Sequence, residues 1–121
     1  MRNRLCTFIL MFISVCFIHS QEKHAMIIGL GEQEDKSWSK INGDKDVPYV
    51  KSMLKKANFQ YVIELTNSKA TKDNIIKGFK YLIQKCKPND IVYIHFSGHG
   101  QQMRDDRYDE NDGLDECWIP Y

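Results

Sequence analysis

Residues 91–96, Ile-Val-Tyr-Ile-His-Phe, constrain the fold more than any other stretch of the chain. The run is apolar except for His95. It is bounded by Pro88-Asn89-Asp90 on one side and Ser97-Gly98-His99-Gly100 on the other. A strand with almost no polar face to give to water is expected to be buried on both faces, at the centre of a parallel sheet. Parallel neighbours must be joined by long crossovers, usually helices, so the preceding chain should alternate strand and helix.

It does. Residues 25–30 form a short, nearly continuous apolar run ending in Gly29-Leu30-Gly31, and read as a first strand. Residues 32–45 are polar, with Trp38 and Ile41 their only large apolar members, and read as a loop. From Val47 the residues Val50, Met53, Leu54 and Ala57 recur at helical spacing. Asp46 is suited to cap that helix, and Pro48 is tolerated in its first turn. Residues 61–65 read as a second strand, followed by a turn at Thr66-Asn67-Ser68. A second helix is expected after Thr71, its N-cap, with Ile75, Ile76, Phe79, Leu82, Ile83 and Cys86 along one face. The order predicts an α/β sandwich with right-handed crossovers and a mostly parallel sheet. Residues 101–116 are expected to be an acidic loop, and a further strand is expected to begin at Cys117.

At 121 residues the chain holds one domain. Lys plus Arg number 17 and Asp plus Glu 16, a balance that gives no electrostatic reason to expect nucleic acid as a partner. Arg2 and Arg4, the apolar run 5–18, and His19-Ser20-Gln21 have the order of a secretory signal peptide. The run is shorter than the roughly 20 residues a bilayer span needs. The expectation is a signal peptide over 1–20 and a domain over 21–121, exported to the periplasm or the exterior and free of the membrane once the leader is removed. Acylation at Cys16 is the lesser alternative, because bulky Val15 precedes it. Cys86 and Cys117 remain, too few for a disulfide framework. Both read as small buried residues, although an oxidising compartment permits a bridge.

In open parallel sheets, ligands bind beyond the carboxyl ends of the strands, and His99 falls there, directly after the apolar run. Its flanking glycines favour a sharp turn and an accessible imidazole. His95, inside the run, reads as a core residue. Gly29-Leu30-Gly31 fails as a dinucleotide-binding turn, because Glu34 stands where the third glycine belongs and no helix opens there. Asp105, Asp106, Asp109, Glu110, Asp112, Asp115 and Glu116 crowd one stretch. Aligning Gly113 with the glycine of an EF-hand puts Tyr108 and Ile119 at positions that need carboxylates, so the loop is not an EF-hand. An irregular calcium loop and a solvated acidic loop both remain open. Cys117 has no glycines to expose it and reads as a core residue rather than a nucleophile.

Taken together, residues 24–121 resemble the caspase-fold cysteine peptidases, and within them the bacterial metacaspase-like (orthocaspase) branch of the peptidase C14 domain. The resemblance rests on His24-Ala25-Met26-Ile27-Ile28-Gly29, on Ile41-Asn42-Gly43-Asp44-Lys45-Asp46, and on Asn58-Phe59. It continues through Ala70-Thr71 with Asn74-Ile75, His95 to Gln102 with its Ser-Gly-His-Gly turn, and Asp112-Gly113-Leu114-Asp115-Glu116 with Pro120. It implies a caspase-like αβα sandwich, incomplete at its C-terminus, and a cysteine-type endopeptidase activity of which this chain carries the histidine half. His99 would be catalytic, with the Gly100 N–H as an oxyanion donor. The family's cysteine, in a D-x-C motif, is expected some tens of residues further on.

The resemblance also bears on specificity. Animal caspases, which cleave after Asp, carry an arginine at the position of Ile41, whereas metacaspases use acidic pocket residues and cleave after Arg or Lys. Asp46 matches one of those acids. The spacing from Gly43 is one residue shorter than in many metacaspases, so Asp44 competes for the role. The implied partner is thus a peptide or protein with basic residues. The chemistry needs no cofactor. Many relatives require calcium, for which Asp115 and then Asp112 are the candidates. The alternatives are a catalytically inactive caspase-fold interaction module and, further off, a flavodoxin-like small-molecule binder. The third strand is also expected to leave an unpaired edge.

Overall fold

A computed structural model describes residues 20–121, so the leader at 1–20 and the Cys16 alternative lie outside the described residues except for Ser20. Three strands, β1 (Lys23–Gly29), β2 (Tyr61–Thr66) and β3 (Ile91–Ser97), form a parallel sheet in the order β2-β1-β3. Helix α1 (Gly43–Lys56) joins β1 to β2, and α2 (Lys72–Lys85) joins β2 to β3. Two further strands, β4 (Gly100–Arg104) and β5 (Leu114–Trp118), make an antiparallel hairpin after the sheet.

Strand β1 is the core of the molecule, and its alternation sorts the two layers. Ala25 and Ile27 point to one face, where Val47 and Leu54 of α1 bury them. Met26, Ile28 and Leu30 point to the other, against Ile75 and Leu82 of α2. Helices on opposite faces of one parallel sheet give the expected αβα sandwich.

Three expectations are corrected. Strand β1 is central, whereas β3 is an edge strand that pairs only with β1 among the described residues. Ile91, Val92 and Ile94 are accordingly 40%, 44% and 39% exposed. An apolar run reports a demand for cover without saying which neighbour provides it, and the expected unpaired edge is this same feature. Helix α1 starts at Gly43 rather than Val47, with Asn42 as its N-cap and Asp46 already inside the first turn. Pro48 consequently lies deeper than its first turn, where its missing N–H takes a donor from the helix ladder. Finally, the acidic loop shrinks to residues 105–113, because its two flanks pair as β4 and β5. Gln101-Gln102-Met103-Arg104 lies exposed, so backbone pairing rather than burial defines it and no apolar rhythm announces it.

The other boundaries agree closely with the sequence. Thr71 caps α2, its hydroxyl accepting from the Asn74 N–H at 3.3 Å. Asn58 follows α1 with φ of 59°, a left-handed closing residue that returns the Phe59 N–H to the Leu54 carbonyl at 3.0 Å. No described helix is long and apolar enough to cross a membrane.

Candidate active site

Because the three strands are parallel, their carboxyl ends share one edge, and the chain's chemistry-bearing residues gather there. The Leu30 N–H donates to the Ser97 carbonyl at 2.9 Å, holding the end of β1 against the turn that carries His99. Asn67, in a left-handed conformation after β2, accepts from the Gly31 N–H at 2.7 Å and donates to Asp44 at 3.3 Å. Helix α1 then approaches this edge end-on. A Cβ at Gly43 would stand within 3.0 Å of the Ser97 and Leu30 carbonyl oxygens, so only glycine lets the helix start so close.

That approach brings Asp46 to the histidine turn. The Ser97 hydroxyl donates to Asp46 Oδ2 at 2.5 Å, two residues before His99. Asp44 points elsewhere. It lines a cavity of about 360 Å³ with Lys40, Lys45 and Asn67, a cavity whose wall carries two basic residues. Both acids lie in the first turn of α1, at the positive end of the helix dipole.

His99 is half-buried under the polar loop before α1. Its Nε2 lies 2.8 Å from the Ser39 carbonyl, and Trp38 packs over the ring at 5.1 Å with a 45° tilt. A carbonyl oxygen only accepts, so Nε2 carries the hydrogen of that bond. In the neutral ring the lone pair then lies on Nδ1, which becomes the atom able to take up a proton. The spacing of Trp38 and Ser39 from His99 gave no hint of this contact. Their only sequence signal was an aromatic residue in an otherwise polar loop.

The hairpin starts directly after His99. The Ile119 N–H donates to the His99 carbonyl at 3.0 Å, which makes these two a hydrogen-bonded ladder pair. In an antiparallel ladder the next residue faces the other way, so Gly100 turns its N–H away from β5. A Cβ at Gly100 would meet nothing closer than the Cys117 carbonyl at 3.5 Å. Gly98 is the tighter position, since a Cβ there would press on the Phe96 ring at 2.8 Å. Of the flanking glycines, Gly98 alone is needed for space, and neither has positive φ.

Cys86 and Cys117 lie apart from this chemistry, and both are free. Cys86 caps the end of α2, before β3 begins and thus at the opposite end of the sheet. Burial, more than the nearby Asp90 and Glu22, pushes its thiol above the usual range. Cys117 is half-buried on the hairpin rather than in the core, its Sγ donating to the Gln101 carbonyl at 3.0 Å.

The acidic loop has an internal order that the sequence did not show. Asp105, only 1% exposed, accepts from the backbone N–H groups of Arg107 at 2.7 Å, Tyr108 at 2.8 Å and Glu110 at 2.9 Å. These bonds, led by that from Glu110, hold its carboxyl below the usual carboxylate range against the opposing effect of burial. Asp105, Asp109 and Asp115 offer oxygens within 4.8 Å of one another. Asp112 does not join them. It accepts from the Leu114 N–H at 3.1 Å and stays exposed.

A parallel αβα sandwich with a Ser-Gly-His-Gly turn at the carboxyl edge of its sheet defines a caspase-fold chain. The chain belongs to the metacaspase family, matching its peptidase C14 domain over residues 23–121. It is 38% identical over 115 residues to Metacaspase-2 of Arabidopsis thaliana, an overlap of 85% of this chain and 26% of that protein. It is 48% identical over 50 residues to Metacaspase-1 of Yarrowia lipolytica, covering 41% of this chain and 11% of the relative. In three dimensions it is similar to the crystal structure of a protein from Geobacter sulfurreducens, with TM-score 0.69 and 28% identity over 80% of this chain and 38% of that one. The chain therefore spans about a quarter or less of the length of these curated relatives.

Proposed function

We propose that this chain supplies the histidine half of a cysteine endopeptidase centre that cleaves after Arg or Lys. One observation carries the reading: the Asp46 carboxylate is tied to Ser97 in the same turn that presents His99. An anionic group is thereby fixed beside the proton-handling imidazole, where the side chain of a basic residue could lie next to its own scissile bond. Asp44 is the weaker pocket candidate, because Lys40 and Lys45 share its cavity.

The chemistry follows from the atoms. A cysteine from outside these 121 residues, as its thiolate, attacks the scissile carbonyl, and the outward Gly100 N–H helps to hold the oxyanion. His99, steadied through Nε2 by Ser39, receives a proton at Nδ1 and delivers it to the departing amine. Water then releases the acyl group. Calcium, where the whole protein uses it, would be held by Asp105, Asp109 and Asp115, whose oxygens suit a hard cation. These three carboxylates fit in kind and supply part of the six to eight oxygens such an ion takes.

In the polypeptide that includes the cysteine, His99→Ala should lower kcat/KM on an arginyl peptide by about 100- to 10,000-fold. Activity retained in that variant rules the assignment out. A polypeptide that binds such peptides but never cleaves them supports the interaction-module alternative.

A further inference from the structure

The end of the sheet opposite His99 holds a second cluster. Strands β1 and β3 begin there side by side, tied by the Ile91 N–H to the Glu22 carbonyl at 2.9 Å and by the Glu22 N–H to Asp90 Oδ1 at 2.9 Å. His24, one residue into β1, is 2% exposed, and neither of its ring nitrogens has a hydrogen-bond partner among the described residues. Two carboxylates flank it: Nε2 is 3.4 Å from Glu22 Oε2 and 3.7 Å from Asp90 Oδ2.

We propose that Glu22, His24 and Asp90 form a binding site for a divalent transition-metal ion of the zinc type. The distances are the first argument. A nitrogen donating to a carboxylate sits about 2.7–2.9 Å from it, and both separations are longer than that. Around a zinc ion with bonds of about 2.0–2.2 Å, tetrahedral ligand atoms lie about 3.3–3.6 Å apart, close to what is found. The three ligand atoms fall within 4.8 Å of one another.

The surroundings are the second argument. Tyr61 stacks on the imidazole at 4.8 Å with a 16° interplanar angle, which fixes the ring plane. Asp90 is oriented by backbone donors, with the Lys87 N–H 2.8 Å from Oδ2 in addition to the Glu22 N–H on Oδ1. At Asp90 these backbone donors act as outer partners that orient a ligand, while at His24 the stacked Tyr61 ring alone fixes the orientation. A cavity of about 420 Å³ opens onto Glu22 and His24 and leaves room for water to complete the coordination shell. The two carboxylates offset a dication against Lys85 and Lys87, which line the same cavity. An imidazole nitrogen favours zinc and its neighbours over calcium, separating this cluster in chemistry from the all-oxygen loop at Asp105.

The test is calorimetric titration of the 121-residue protein with zinc, paired with cobalt(II) spectroscopy as a reporter of nitrogen ligation. Saturable binding of one ion per chain is expected. Glu22→Gln, at a half-buried position whose shape it preserves, should weaken it by at least about tenfold, and Asp90→Asn likewise. His24→Phe should abolish it and remove the nitrogen signature from the cobalt spectrum. If that variant does not fold, the two amide variants decide the question. The proposal is overturned by absence of saturable binding, by affinity unchanged in Glu22→Gln and Asp90→Asn, or by zinc uptake that instead follows substitution of Asp109 and Asp115.

Discussion

Ser97 and Asp46, 51 residues apart in the chain, share a hydrogen bond of 2.5 Å in which the serine hydroxyl donates to the carboxylate. The bond joins the first turn of α1 to the turn that presents His99. A charged side chain on an exposed helix turn would ordinarily sample many rotamers. Here one is held.

Replacing Asp46 by Asn keeps the shape and removes the charge. A charge-assisted contact to a substrate guanidinium is worth about 1.5–3 kcal/mol, so kcat/KM for arginyl peptides should fall about 10- to 100-fold. Folding stability should fall by about 1 kcal/mol or less, since the position is exposed and Asn can still accept from Ser97, while the negative charge at the helix N-terminus is lost. Steady-state kinetics of the polypeptide that includes the cysteine, on arginyl and neutral peptides, with a melting curve, checks both. An unchanged preference for arginine would remove Asp46 from the pocket.

Gly43 and Gly100 should respond oppositely to alanine. At Gly43 the new Cβ meets backbone carbonyls of Ser97 and Leu30, which cannot turn aside, and overpacking of this kind costs about 1–3 kcal/mol. At Gly100 the nearest atom is 3.5 Å away and φ is not positive, so Gly100→Ala should fold normally and keep its N–H. Denaturant unfolding of the two variants side by side makes the comparison. Equal stabilities would mean that α1 does not depend on the close start described here.

Much of this architecture was legible in the sequence because burial leaves a rhythm. The alternation of β1, the apolar face of α2 and the Thr71 cap each follow from local chemistry. The errors share a cause as well. The start of α1 is set by the fit of Gly43 against the carbonyls of Leu30, just past β1, and Ser97, at the end of β3, and β4 by pairing between exposed backbones, so neither leaves a hydrophobic period. At the candidate site, motif spacing and the family resemblance were enough to put His99 and Asp46 forward. Their holders, Ser39 and Ser97, act through a carbonyl and a hydroxyl that many residues could supply, and Asp105 was one acid among several until its three N–H donors were seen.

Within the acidic stretch, the geometry separates Asp115 from Asp112. Asp115→Asn removes a member of the oxygen cluster and should weaken any calcium affinity about tenfold or more, whereas Asp112→Asn leaves the cluster whole. Both expectations follow from charge and ligand count. Isothermal titration with calcium, alongside a chelator control, gives the answer, and equal effects of the two substitutions would count against this assignment.

Asp105 predicts an acid transition confined to one loop. Its carboxyl is held below the usual range by the N–H groups of Glu110, Arg107 and Tyr108, so the folded state favours the ionised form. The stabilisation is therefore complete above the unfolded carboxylate value of about 3.9, and it fades as pH falls through the lower folded value. Amide protection factors over residues 105–113, taken relative to the intrinsic rate at each pH, should stay level from neutral pH to about pH 4 and fall below it. Asp105→Asn should lower that protection already at neutral pH and erase the acid transition. A loop equally protected in both proteins would show that these bonds do not organise it.

Trp118 decides whether the hairpin stays docked. Its indole lies flat on Phe96 of β3, with centroids 4.6 Å apart and planes 7° from parallel, and also faces Phe79 of α2 at 6.4 Å. The Tyr121 N–H adds a bond to the Ala70 carbonyl at 3.0 Å, and Gln33 Nε2 donates to the Ile119 carbonyl at 2.9 Å. Because Gly100 opens the hairpin, loosening Trp118 should loosen the residue after His99. Trp118 is 46% exposed, so Trp118→Ala should cost less than the about 3–5 kcal/mol of a fully buried tryptophan, on the order of 1–2 kcal/mol. A double-mutant cycle with Phe96→Ala isolates the stacking, for which about 0.5–1.5 kcal/mol of coupling is expected. Hydrogen exchange at residues 100–104 should rise in Trp118→Ala while the centre of β1 keeps its protection. Coupling near zero, or exchange that rises equally in β1, would mean that the hairpin is held by the backbone bonds of its last residues and not by the stacked rings.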